Sequence, residues 1–111
     1  MNSYLIVGSG YRAEYYARIA VKHRDLFRAM FLCRSDEKAG AVSARTGVGA
    51  TARLEEALDF RPDFVVVAVD RDHVADVTIE WAERGYPVVA ETPVGASFEK
   101  LEALWALARG E

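Results

Sequence analysis

Six consecutive apolar residues, Phe64-Val65-Val66-Val67-Ala68-Val69, constrain this chain more than any other feature. Side chains alternate between the two faces of a strand, so a run without a polar position must be covered on both faces. The run is too short for a helix and rich in β-branched valine, which favours a strand over residues 63–69. Tyr4-Leu5-Ile6-Val7 is a second such run, ending at Gly8. Helical spacing fills the segments between runs. Tyr11–Lys22 carries apolar Tyr16, Ala17, Ala20 and Val21 on one expected face.

The alternation continues along the chain. Residues 27–33 form a β-like run, and Asp36–Thr46 reads as an Ala-rich helix that Ser35 can cap. A capping box would place Glu three residues after Ser35, but this chain has Lys38. Gly47-Val48-Gly49-Ala50 supplies only a very short strand, and residues 54–60 a short helix. Residues 73–84 form a helix closed by Gly85. Tyr86-Pro87-Val88-Val89-Ala90 is a fifth strand, with its proline where a missing N–H is tolerated. Ser97 can cap a last helix, with Phe98, Leu101, Leu104, Trp105 and Ala108 on one face. Doubly buried strands alternating with helices require a parallel sheet between two helical layers. Right-handed crossovers then predict a doubly wound αβα fold of Rossmann type, strand order 3-2-1-4-5.

Composition bounds the functions open to this fold. With 111 residues the chain is expected to be a single domain, residues 1–111. A 51% hydrophobic and 28% charged composition excludes a disordered chain. A net charge of -3 gives no electrostatic footprint for nucleic acid. Cys33 is the sole cysteine, so neither a disulfide framework nor a cysteine-paired zinc site is expected, and a reducing cytoplasm is the simplest location. No apolar run approaches ~18 residues, so no membrane partner is expected. The opening Met1-Asn2-Ser3-Tyr4 does not read as a secretory signal.

Four places carry the chemistry. Gly8-Ser9-Gly10-Tyr11-Arg12-Ala13 is a G-x-G-x-x-A pattern between the first strand and first helix. Gly8 permits a tight turn, Gly10 lets a pyrophosphate approach the backbone, and Ala13 allows close helix–sheet packing. The helix start, with Tyr11 and Arg12, adds N–H groups and a dipole suited to an anion. The bland reading is a merely tight turn. At the end of the second strand, about 20 residues further on, an NAD-specific domain places an acidic residue for the ribose hydroxyls. Here stands Cys33-Arg34-Ser35. Arg34 would attract a 2′-phosphate and could stack on adenine, and Ser35 could donate a hydrogen bond. The expected cofactor is therefore NADP, with NAD as the alternative; the competing reading is a surface arginine beside a helix cap. Cys33 is expected to be a small buried spacer. The third place is the loop Asp70-Arg71-Asp72-His73 after the fourth strand, where such sheets bind ligands. His73 starts a helix, which favours a neutral imidazole, and a capping or supporting role is preferred for it. His23, between Lys22 and Arg24, is given no role.

The fourth place is Glu91-Thr92-Pro93. Together with Leu5-Ile6-Val7-Gly8-Ser9-Gly10, residues 64–69, His73 and Gly85-Tyr86-Pro87-Val88-Val89-Ala90, it resembles the N-terminal domain of the Gfo/Idh/MocA family. That family holds glucose–fructose oxidoreductase, inositol dehydrogenase and rhizopine-catabolism enzymes. The resemblance covers essentially the whole chain. It implies that Glu91 helps hold the cofactor end of the site and that a cis peptide precedes Pro93. The family motif usually reads Glu-Lys-Pro, with the lysine near the nicotinamide. Thr92 carries no positive charge and is a poor proton relay. Members also carry a C-terminal substrate domain, which residues 1–111 are expected to lack.

Two functions follow as expectations. One is an NADP-binding oxidoreductase domain that does not turn over alone. The other is a non-catalytic nucleotide- or partner-binding module. A Rossmann-like domain that no longer binds nucleotide stands as a third. A homo-oligomer, or association through the exposed edge of the fifth strand, is expected as well.

Overall fold

The computed structural model describes residues 2–90. Five parallel strands form one sheet in the order β3-β2-β1-β4-β5. They are β1 (Asn2–Val7), β2 (Phe27–Leu32), β3 (Ala50–Thr51), β4 (Phe64–Val67) and β5 (Val88–Ala90). The helices between them are α1 (Tyr11–Lys22), α2 (Asp36–Thr46), α3 (Leu54–Asp59) and α4 (Val74–Glu83). This is the expected doubly wound αβα architecture, and α1 and α2 have the expected bounds.

The alternation of strand side chains sorts the core into two layers. Tyr4, Ile6, Phe31, Val66 and Ala68 face α1 and α2, meeting Ala13, Ala17, Ala20, Ala39 and Val42. Leu5, Val65 and Val67 face the other way, against Ala57 of α3 and Val74 and Trp81 of α4. The small residues of α1 and α2 let those helices lie close to the sheet. Tyr4 fills the bottom of the first layer, stacked on Phe64 with ring centroids 5.2 Å apart. Its hydroxyl donates to the Tyr16 carbonyl at 2.5 Å, so the buried polar atom is satisfied.

Three local expectations are adjusted. The buried stripe of α1 is Ala13, Ala17 and Ala20; Val21, expected on that face, is 36% exposed. It is rotated about 100° from Ala20 around the helix, on the flank toward α2. β4 ends at Val67, two residues early, although Ala68 N–H still donates to the Val7 carbonyl at 3.0 Å. β5 begins at Val88 because Pro87 has no N–H to donate; its carbonyl nevertheless accepts from Val65 N–H at 2.9 Å. The expected last helix, with Glu91-Thr92-Pro93, lies outside the described residues.

Candidate functional site

The parallel order makes β1 and β4 adjacent while their connections leave in opposite directions. This is the point where such sheets open a crevice beyond the strand C-termini. The strand ends there are held by hydrogen bonds that extend past the regular ladder. Gly8 N–H donates to the Leu32 carbonyl at 3.1 Å, and Cys33 N–H donates to the Thr51 carbonyl at 2.8 Å. The Cys33 thiol lies 3.8 Å from the Gly8 carbonyl, as a weak donor. Burial pushes this thiol up from its usual range, which fits a packed spacer better than a nucleophile.

A cavity of about 750 Å³ opens at these ends. Gly8, Ser9, Gly10, Tyr11 and Arg12 form its rim over the start of α1. Gly10 is the N-cap residue of α1 and makes no side-chain cap, so the cap itself does not compete for the first-turn N–H groups. Gly8 and Gly10 have different reasons to be glycine. Gly8 has φ +136 and lies against the backbone of Ala68. Gly10 has φ -85, and a Cβ there would meet no other atom within 4 Å.

Arg34 and Lys38 line the cavity together at the end of β2. The cap of α2 sets their spacing: Ser35 Oγ accepts from Lys38 N–H at 3.2 Å, as expected for that serine. Ser35 thus shapes the turn without lining the cavity. Asp70 lines the opposite side. Its carboxyl is held below the usual range mainly by a hydrogen bond with His73, and the charge of Arg34 adds to this. His73 Nδ1 pairs with Asp70 Oδ1, while the Asp70 carbonyl accepts from the N–H groups of His73 and Val74. His73 is the N-cap residue of α4, makes no side-chain cap bond, and stands behind Asp70 instead of lining the cavity.

Seven of the sequence-derived candidates therefore share one cavity: Gly8, Ser9, Gly10, Tyr11, Arg12, Arg34 and Asp70. Ser35 and His73 support it from outside, and Glu91 and Thr92 lie beyond the described residues. Sequence reasoning missed Lys38 and an apolar slot between α3 and α4. The slot is walled by Leu32, Ala52, Leu54, Val77 and Trp81, with Glu80 beside them. Lys38 had left a signal: it stands where a capping box wants glutamate. The slot had none, because α3 and α4 come together only through the crossover. Among the described residues, no cluster of three metal-ligating side chains is present, and no helix is long and apolar enough to cross a membrane.

Sheet order, glycine turn and crevice define a Rossmann-type nucleotide-binding domain. The chain belongs to the Gfo/Idh/MocA oxidoreductase family. The model of that family's NAD-binding Rossmann fold matches residues 2–111. Solved structures share the fold. A Gfo/Idh/MocA family oxidoreductase from Vibrio cholerae superposes with TM-score 0.85 at 20% identity, over 99% of this chain and 36% of that one. The WlbA dehydrogenase from Bordetella pertussis, in complex with NADH and UDP-GlcNAcA, gives 0.82 at 22%, over 98% and 33%. Biliverdin reductase from Synechocystis sp. PCC 6803, in complex with biliverdin and NADP+, gives 0.80 at 23%, over 97% and 34%. The chain spans about a third of the length of each. Among curated proteins, none matches it.

Proposed function

We propose that this chain is the cofactor-binding unit of an oxidoreductase, that it takes NADP(H) in preference to NAD(H), and that it does not turn over by itself. The observation that carries the preference is the pair Arg34 and Lys38 on one cavity wall at the end of β2. An adenosine ribose lies at this strand end in dinucleotide folds. Two cations there attract a 2′-phosphate, and the guanidinium can hold it through two parallel hydrogen bonds. Asp70 and Glu80 oppose them with two negative charges, and Arg12 adds a third positive one, so the cavity lining remains net positive. Gly10 supports the pyrophosphate placement, because nothing in the protein itself excludes a side chain at that position. The turn of residues 8–10 and the start of α1 would receive the pyrophosphate on backbone N–H groups.

Thr92 supports the absence of turnover, since it offers no cation where the family usually has lysine. The same residue favours a second reading, a nucleotide-binding module that works with a partner. Titration with NADPH and NADH, followed by nicotinamide fluorescence, tests the reading. Saturable binding with NADPH tighter is expected. No binding of either dinucleotide at millimolar concentration would overturn it.

A further inference from the structure

The apolar slot holds one acid. Glu80 projects from the second turn of α4 beside Val77 and Trp81, and all three line the same cavity as Arg34 and Gly10. Leu32, Ala52 and Leu54 make apolar walls suited to a flat aromatic ring. The acid is anchored. Arg84 Nη1 donates to Glu80 Oε1 at 2.8 Å, and the Arg84 guanidinium lies over the Trp81 ring, 4.5 Å from its centroid. Trp81 is itself 1% exposed, so this stack ties the ion pair to the core. A carboxylate has two oxygens and accepts at several sites, so Glu80, with a half-exposed side chain, keeps acceptor capacity beyond its pair with Arg84.

We infer that Glu80 reads the base of the dinucleotide, accepting a hydrogen bond from the exocyclic amino group of adenine. The inference rests on the proposed dinucleotide site and deepens it. Adenine presents an amino donor at position 6, whereas hypoxanthine presents a carbonyl oxygen that a carboxylate repels. A site built to accept from an amino group discriminates against a base that lacks it, because the acceptor is left facing another acceptor. Glu80 stands partly in solvent, which limits the effect to about tenfold.

The test compares NADPH with its hypoxanthine analogue on the full chain, in the parent protein and in Glu80→Gln and Glu80→Leu. The parent is expected to bind NADPH about tenfold tighter than the analogue. Glu80→Gln, whose amide can donate to the carbonyl, should bring the ratio close to one while circular dichroism stays unchanged. Glu80→Leu should also remove the preference, through weaker NADPH binding. Equal affinity for both in the parent overturns the inference and leaves the dinucleotide reading standing. A preference that survives both substitutions overturns the assignment to Glu80. Failure to bind either compound overturns the dinucleotide reading itself.

Discussion

The Ala68 backbone carbonyl occupies the space that a side chain on Gly8 would need: a Cβ built there collides with its oxygen and lies 3.0 Å from its carbon. Gly8 also sits at φ +136, where side chains are strained whatever the space. This contact brings the end of β1 against the end of β4, and so sets the floor of the crevice. The glycine turn is therefore a structural device at its first position. At its third position it is not: Gly10 has ordinary backbone angles and open space around it.

That contrast predicts opposite behaviour for two alanine variants. Gly8→Ala is expected to lose about 2–4 kcal/mol of stability, from backbone strain plus overpacking, and cofactor affinity with it. Gly10→Ala should keep its stability within about 0.5 kcal/mol and still bind NADPH at least about tenfold more weakly, because the methyl group faces the pyrophosphate path. Urea melts and a dinucleotide titration measure both quantities. Equal damage to stability in the two variants would contradict the distinction.

Ser35 connects the fold to the proposed specificity. Ser35→Ala removes the acceptor for Lys38 N–H and should cost about 1 kcal/mol in urea denaturation. Ser35→Asp keeps a capping oxygen and should be close to neutral in stability, yet it places a negative charge beside Arg34. NADPH affinity should then fall about tenfold while NADH affinity changes little. Parallel loss of both cofactors would show that the cap matters only for folding.

Burial pushes the pKa of both Tyr4 and Cys33 up, with desolvation of the charged form as the leading cause in each. A raised folded-state value means that the unfolded chain gives up its proton first. The stabilisation is complete below the unfolded values and is lost as pH rises through the folded ones. The thermal midpoint should therefore hold through neutral pH and fall progressively above about pH 9, where unfolded cysteine and then tyrosine ionise. The double variant Tyr4→Phe, Cys33→Ala should have a flatter alkaline profile. It should also start about 1 kcal/mol lower through loss of the hydrogen bond to Tyr16. An unchanged slope in the double variant would assign the alkaline loss to other groups.

Much of the fold was legible because its strands lack polar positions. Phe64-Val65-Val66-Val67 admits only a strand covered on both faces, and that requirement leads to the two helical layers. Val21 was misplaced because helix periodicity does not tell a core face from a flank toward a neighbouring helix. The glycine turn and Arg34 were legible as local patterns. Lys38 was visible only as a missing glutamate, and its place on the cavity depends on the bond from its N–H to Ser35. That Leu54 and Trp81 border one cavity was not legible, since they lie 27 positions apart with a crossover and a strand between them. His73 was legible as a supporting residue, but its partner Asp70 became clear only from the turn that folds one onto the other.

The most direct test of the account is the ratio of NADH to NADPH dissociation constants in the parent chain and in Arg34→Ala, Lys38→Ala. A parent ratio of about 10 to 100 is expected, the scale of one or two charge-assisted hydrogen bonds. In the double variant the ratio should fall close to one, with NADH affinity nearly unchanged. A parent chain that binds both cofactors equally, or NADH more tightly, would contradict it.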